Sequence, residues 1–193
     1  GETWKPHFDM PEETTITPTL LLSMPQLDDP NFGRTVILLC EFASEGAFGL
    51  IINRPTEFPA ASVVQLAPPV VAGNDLPLWI GGPVEPERGW ILLSETRGEE
   101  DAREIAPGLF LSASPHVLRR VLESSMPPAA RVIAGYAGWG PGQLDQELAE
   151  SSWLMADVDA DFVFNTPAAA LWEAAIRRLG VDPSQLQQGH GVH

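Results

Sequence analysis

The chain has 193 residues, of which 44% are hydrophobic and 19% are charged, a size and composition typical of one globular domain. Its 26 acidic residues against 11 lysines and arginines give a formal net charge of −15, which disfavours direct binding to nucleic acids and anionic membranes. The single cysteine, Cys40, excludes an internal disulfide and a cysteine-rich zinc site, and the single lysine, Lys5, excludes lysine chemistry in the folded body.

The sequence pattern divides the chain into a flexible N-terminal arm (1–18), a single domain (19–182) and a flexible C-terminal tail (183–193). The N-terminus lacks the basic and then apolar pattern of a secretory signal. No apolar run approaches the roughly 20 residues of a membrane span. We therefore expect a cytoplasmic protein that does not enter a membrane.

Apolar runs of strand length predict most elements in the first half of the domain. We expect strands at Leu20–Leu22, Thr35–Cys40, Phe48–Ile52, Leu78–Ile80, Trp90–Leu93 and Leu109–Leu111. The second and third strands are joined through Ser44-Glu45-Gly46, which predicts a hairpin. A short helix is expected at Pro59–Leu66, with inward side chains at Val63, Val64 and Leu66. The charge-rich stretch Arg97–Arg103 predicts a solvated loop.

Helix signals dominate the second half. Ser114 is a good N-cap before Pro115, and the helix that follows has an apolar stripe of Val117, Leu118, Val121 and Leu122. The stretch Arg131–Trp153 predicts a buried strand, a glycine-rich turn that exposes Trp139, and a helix opened by Pro141. We then expect a strand at Trp153–Val158 and a last helix after Thr166-Pro167. That helix would bury Leu171, Trp172, Ala175, Ile176 and Leu179 and end at Gly180.

Strands outnumber helices and partly follow one another in consecutive pairs, which favours an α+β fold over a doubly wound parallel sheet. The sequence therefore predicts a single compact α+β domain in which about four helices pack around a mixed or antiparallel sheet.

The glycine-rich segment Gly135–Gln143 is the first candidate binding site. Backbone N–H groups in such a turn can face an anion, but the phosphate-loop lysine and the G-x-G-x-x-G pattern are both absent. Gln143 and Glu147 share a helix face beside Trp139 and could bind a ligand that lies against the indole. The alternatives are a purely structural turn, with surface hydrogen bonds and helix capping for the polar pair.

Strand ends carry the second candidate site, with Arg34, Asn53, Arg54, Gly82 and Arg88 as its candidate ligand-binding residues. Converging guanidinium groups would form a pocket for a carboxylate or phosphate. The alternative is structural pairing of these arginines with acidic side chains, namely Asp28, Asp29, Glu41 or Glu87.

Familiar catalytic machinery is missing from the sequence. Cys40 lies in an apolar strand, which predicts a buried, inert thiol. The four histidines include no pair at metal-binding helical spacing, and there is no G-x-S-x-G or H-E-x-x-H motif. We therefore assign no catalytic residue, and we expect no metal and no cofactor.

Several blocks of the chain resemble the YqgE/AlgH family of small bacterial proteins. They are LLLSMPQLDDPNFGRTVILLCEF, GAFGLIINRP, LWIGGPVEPERGWIL and GYAGWGPGQLDQELAESSWL, in the family's order from about Leu20 to about Gly180. One departure is Phe42, where the family commonly has a histidine after Cys-Glu. The resemblance implies an α+β fold with a strongly curved sheet. It implies no established catalytic residues, although some members are named as regulators of transcription, notably of alginate production.

Two functional hypotheses follow. The leading one is a non-catalytic regulatory protein that binds an unknown protein partner or a small anionic ligand, with any effect on transcription being indirect. Its surface would combine the arginine-bearing strand ends with Trp139, Gln143 and Glu147. The alternative is a cofactor-independent enzyme in which Glu147 acts as acid and base on a small anionic substrate held by arginines.

Overall fold

The structure, a computed structural model, describes residues 19–25, 34–96 and 101–184. The predicted N-terminal arm (1–18) lies outside the described residues, as does most of the predicted tail (185–193). The strands in these ranges are β1 (Leu20–Ser23), β2 (Val36–Ala43), β3 (Gly46–Ile51), β4 (Pro55–Pro59), β5 (Pro77–Ile80), β6 (Val84–Leu93), β7 (Ala102–Ala106), β8 (Leu109–Ser112), β9 (Ala130–Trp139) and β10 (Trp153–Ala156). The helices are α1 (Ala60–Val63), α2 (Pro115–Glu123), α3 (Gln143–Ala149), α4 (Ala160–Asn165) and α5 (Ala168–Arg178).

The described strands form one mixed sheet in the order β10-β1-β2-β3-β9-β6-β8-β7, to which β5 and then β4 are added beside β9. All of its strand pairs are antiparallel except β5 with β9. With helices packed on this sheet, the predicted α+β fold is confirmed.

Strand β9 joins the two halves of the sheet. One of its edges pairs with β6, while the other edge pairs first with β5 and then, beyond Gly135, with β3. Gly135 has φ 79°, and a Cβ at this position would collide with the carbonyl oxygen of Gly82. Glycine is required here because the strand changes partner through a left-handed backbone conformation at close approach to another segment.

Three apolar clusters hold the helices to the sheet. The largest packs α4 and α5 against one face, through Leu171, Trp172 and Ile176 among others. A second cluster lies beneath α3, around Leu144. The third lies between α2 and the strands β5, β6 and β9, where the predicted stripe of Val117, Leu118, Val121 and Leu122 is fully or nearly buried.

Several predicted elements are confirmed. Strands β2 and β3 form the expected hairpin, and the side-chain oxygen of Ser114 accepts a hydrogen bond from the backbone N–H of Val117 at 3.4 Å. Gly180, just after the last helix, has φ 80°. These signals were strong because each depends on residues close together in the chain.

Other details of the prediction were wrong. Strand β7 begins inside the predicted Arg97–Arg103 loop, and β4 and α4 were not predicted, so the described ranges contain five helices instead of about four. Helix α1 is only four residues long, and Val63 is 45% exposed instead of inward. Leu179, expected to be buried, is 39% exposed just after α5. Strands β4 and β7 are stabilised by pairing with β5 and β8, which composition alone does not reveal.

Candidate functional site

The carboxylate of Glu147 is the centre of a hydrogen-bond network that joins three side chains. Its Oε1 accepts hydrogen bonds from the indole nitrogens of Trp139 at 3.0 Å and Trp153 at 2.8 Å, and its Oε2 accepts one from Gln143 at 3.0 Å. The two indole rings meet edge to face, with centroids 6.0 Å apart. The network therefore ties α3 to β9 and β10.

The glycine-rich turn is shorter than expected, because β9 continues through Gly135 to Trp139. Trp139 is 4% exposed, so the predicted exposed tryptophan is wrong. Gly142 has φ 74° and lies directly before α3, and the side-chain oxygen of Gln143 accepts a hydrogen bond from the N–H of Gly140 at 3.0 Å. These contacts favour the structural alternative for the turn.

A second group of predicted residues lies at the start of β2. Arg34 donates to Glu173 at 2.7 Å, and its guanidinium lies 4.8 Å from the ring centroid of Trp172. The side chain of Asn53 accepts from the N–H of Val36 at 3.1 Å and donates to the carbonyl of Arg34 at 3.2 Å.

Next to this group, Arg54 donates to the hydroxyl of buried Thr35 at 2.7 Å. Each of the three residues Arg34, Asn53 and Arg54 thus has partners inside the protein. The observed bonds join the start of β2 to α5 and to the end of β3.

The remaining candidates, Gly82 and Arg88, lie near Tyr136. A Cβ at Gly82 would collide with the backbone of Tyr136, whose hydroxyl donates to Glu85 at 2.7 Å. Burial raises the pKa of Tyr136 above its ordinary value, and the hydrogen bond to Glu85 raises it further. The guanidinium of Arg88 lies 5.5 Å from the ring centroid of Trp90.

A cleft of about 730 Å³ opens beside Arg88, and we call it the sheet cleft. Its floor is formed by β5, β9 and β6, and its walls are the start of α2, the segment after α1 and the irregular part of β6 around Glu85–Arg88. This volume lies within the range of about 300–1,000 Å³ that is usual for ligand sites.

The floor consists of two cross-strand rows that the register defines. Leu78, Val132 and Ile91 lie side by side in the first row and are buried. The second row is Ile80, Ala134 and Gly89, in which Ile80 is 39% exposed.

The second row is open because two of its three residues, Ala134 and Gly89, are small. A Cβ added at Gly89 would meet only Cδ2 of Leu118, at 3.9 Å, so a side chain at this position would extend into the cleft. The floor of the sheet cleft is therefore apolar and partly uncovered.

Exposed apolar side chains are concentrated around the same cluster of elements. In the described part of the chain, seven large apolar residues are exposed, and five of them belong to β4, α1, the segment between α1 and β5, β5, and the segment after α2. These five are Phe58, Val63, Val71, Ile80 and Met126. Two of the five, Val63 and Ile80, line the sheet cleft.

Other reactive groups offer no additional site. Cys40 is buried, and burial raises the pKa of its thiol far above the ordinary value, which disfavours the reactive thiolate. Among the described residues, no group of three or more His, Cys, Asp or Glu side chains is arranged to hold a metal ion. No helix in these ranges combines the length and the apolar character needed to cross a membrane.

The structure thus separates the candidate residues into three places. Trp139, Gln143 and Glu147 form one hydrogen-bonded network, and Arg34, Asn53 and Arg54 form another group. Gly82 and Arg88 lie near Tyr136, and of the eight candidates only Arg88 lines the sheet cleft. Sequence reasoning missed Ile80, Ala134 and Gly89, because only the register of three strands brings them together. The available signal was the small residue Gly89 directly before the predicted strand Trp90–Leu93.

Comparisons with known proteins agree on one family. The sequence model of the AlgH-like family matches residues 20–184. A UPF0301 protein of Myxococcus xanthus is 38% identical over 180 residues, covering 92% of this chain and 98% of that protein. A UPF0301 protein of Marinomonas sp. is 40% identical over 178 residues, covering 89% and 94%.

Two solved structures extend the agreement to the fold. The solution structure of the AlgH protein from Pseudomonas aeruginosa has a TM-score of 0.74 and 34% identity, covering 92% of this chain and 95% of that one. A crystal structure of a Corynebacterium diphtheriae protein has a TM-score of 0.66 and covers 93% of each chain, and at 22% identity it supports the fold alone. The names of these relatives state no reaction, ligand or partner.

Proposed function

Because the chain belongs to the AlgH-like family, whose named relatives carry no stated reaction, we propose that it is a non-catalytic regulatory protein that binds a partner. The bound element is an apolar segment of a protein, and it enters the sheet cleft. Any effect on transcription is exerted through that partner and not through contact with DNA. The protein works in the cytoplasm.

The open row of Ile80, Ala134 and Gly89 is the observation that carries this proposal. It leaves apolar sheet surface uncovered at the bottom of a cleft, and burying such surface contributes roughly 25 cal/mol per Å² to association before the costs of ordering are subtracted. Arg88 at the rim supplies a polar contact that can orient the segment.

The other candidate residues support the fold around this site. The carboxylate of Glu147 accepts three internal hydrogen bonds and does not line the sheet cleft. Arg34 and Asn53 likewise make internal contacts. A role for Glu147 in acid–base catalysis would require a substrate within hydrogen-bond reach, and no observation in the described ranges favours it.

Peptide selection tests the proposal without assuming a partner. A display library of random peptides of about 16 residues, long enough for about four helical turns, is selected on the protein and then screened on the variant Gly89→Leu. We expect enriched peptides whose binding is lost in Gly89→Leu, because the new side chain fills the cleft.

Gly138→Leu is the matched control. Gly138 lies exposed in β9, outside the cleft lining, and a Cβ there makes only ordinary contacts at 3.5 Å or more. Peptides should therefore bind this variant as they bind the unmodified protein. If no peptide is enriched, or if every enriched peptide still binds Gly89→Leu, the sheet cleft is not the binding site.

A further inference from the structure

Resting on the proposed function, we infer that the segment bound in the sheet cleft is basic as well as apolar. Its apolar side chains lie on the floor of the cleft, and its lysine or arginine side chains face the carboxylates at the rim. The partner is thus a protein with a basic amphipathic segment.

Rim charge is the first argument for a basic segment. The irregular part of β6 places Glu85, Glu87 and Arg88 around the cleft, which gives two carboxylates to one guanidinium. Glu87 is exposed and has no ion pair within the described ranges. The hydroxyl of Tyr136 occupies one oxygen of Glu85, which leaves the other oxygen free to accept from a cation.

Arg88 does not cancel this preference. Its guanidinium lies over the ring of Trp90, at 5.5 Å from the centroid, so part of its charge already faces an aromatic surface of the protein. Because Arg88 is held there, Glu87 is the charged residue whose side chain is most accessible at the rim of the cleft.

The charge of the whole chain is the second argument. With a formal net charge of −15, the protein attracts basic partners at long range and speeds their encounter. A second copy of the chain carries the same charge and is disfavoured as the occupant. An acidic segment is disfavoured for the same reason.

Openness of the cleft is the third argument, and it concerns the size of the partner. Val63 and Ile80 line the cleft and remain 45% and 39% exposed. Ligand sites for small molecules bury about 70–90% of the ligand, which an open groove cannot do. An amphipathic segment attached to a larger partner covers the groove from outside, as in other helix-in-groove complexes.

Fluorescence anisotropy with two matched peptides tests the inference. The first probe is a labelled amphipathic peptide with leucines on one helical face and lysines on the other, and the second has glutamate in place of every lysine. We expect the lysine probe to bind at least about tenfold more tightly. The difference should shrink as salt rises from about 0.01 M to about 0.15 M, because the screening length falls from about 30 Å to about 8 Å.

Variants separate binding in the cleft from general attraction to an acidic protein. Gly89→Leu and, as a second filling variant in the same row, Ala134→Leu should each weaken the lysine probe at least about tenfold, whereas Gly138→Leu should not. Glu87→Lys should weaken it more than Glu150→Lys, which makes the same charge change just after α3, outside the cleft lining. Circular dichroism confirms that each variant is folded.

Equal or tighter binding of the glutamate probe would overturn the inference. Binding of the lysine probe that the filling variants leave unchanged would also overturn it, because the attraction would then be a general charge effect. If the random library yields cleft-dependent peptides that are neutral or acidic, this inference fails while the proposed function stands. If no library peptide depends on Gly89, both fail.

Discussion

At the scale of single residues, the clearest structural assignment is Glu147, whose carboxylate accepts from two nearly buried tryptophans at once. Replacing Glu147 with alanine removes the carboxylate that accepts from both indole N–H groups, and losing the acceptor of a buried donor costs about 1–3 kcal/mol. We therefore expect Glu147→Ala to lower the free energy of unfolding by about 2 kcal/mol or more. Urea denaturation followed by tryptophan fluorescence measures this change.

Glu150→Ala is the control for that measurement. Glu150 follows the same helix and accepts a single hydrogen bond, from exposed Gln146 at 3.1 Å. A surface change of this kind alters stability by no more than about 0.5 kcal/mol. If Glu147→Ala is no more destabilising than Glu150→Ala, the carboxylate does not hold α3 to the sheet.

At the scale of elements, the decisive feature is that β9 changes partner at Gly135. Gly135→Ala would place a side chain in a left-handed conformation, which costs about 1–3 kcal/mol, and its Cβ would also collide with Gly82. We expect a loss of at least about 2 kcal/mol in thermal or urea unfolding. Gly138→Ala in the same strand has no such contact and should be neutral or slightly stabilising. Equal effects of the two changes would mean that β9 does not depend on the bend.

A comparison of β9 with β2 and α2 shows where sequence-based prediction succeeds and where it fails. Runs such as Thr35–Cys40 and the Ser114-Pro115 start are local signals, and the structure has β2 and α2 at these places. Gly135–Trp139 has the composition of a turn but forms strand, because β3 and β6 supply hydrogen-bond partners from distant parts of the chain. Trp139 is buried because Leu144 of α3 belongs to the same apolar cluster.

The candidate site could be predicted only in part. Glycine, arginine and aromatic residues were recognisable as possible binding groups, and Arg88 does line the sheet cleft. The floor of the cleft was not predictable, because Ile80, Ala134 and Gly89 are separated by up to 54 positions and become neighbours only through strand register. A one-residue change in register would place another set of side chains on that face.

At the scale of the whole molecule, the charge of −15 favours encounters with basic over acidic partners. Duplex DNA carries one negative charge per about 1.7 Å, and binding it requires cations that replace the bound counterions. We therefore expect no complex with a double-stranded fragment in a gel-shift assay at about 0.05 M salt, where such binding is far stronger than at about 0.2 M. The lysine probe, tested in the same buffer, shows that the protein is competent to bind. A retarded DNA band that disappears as salt increases would reveal a concentrated basic surface and contradict the prediction. If the band is absent, an effect of this protein on transcription does not act through direct contact with duplex DNA, as the proposed basic partner requires.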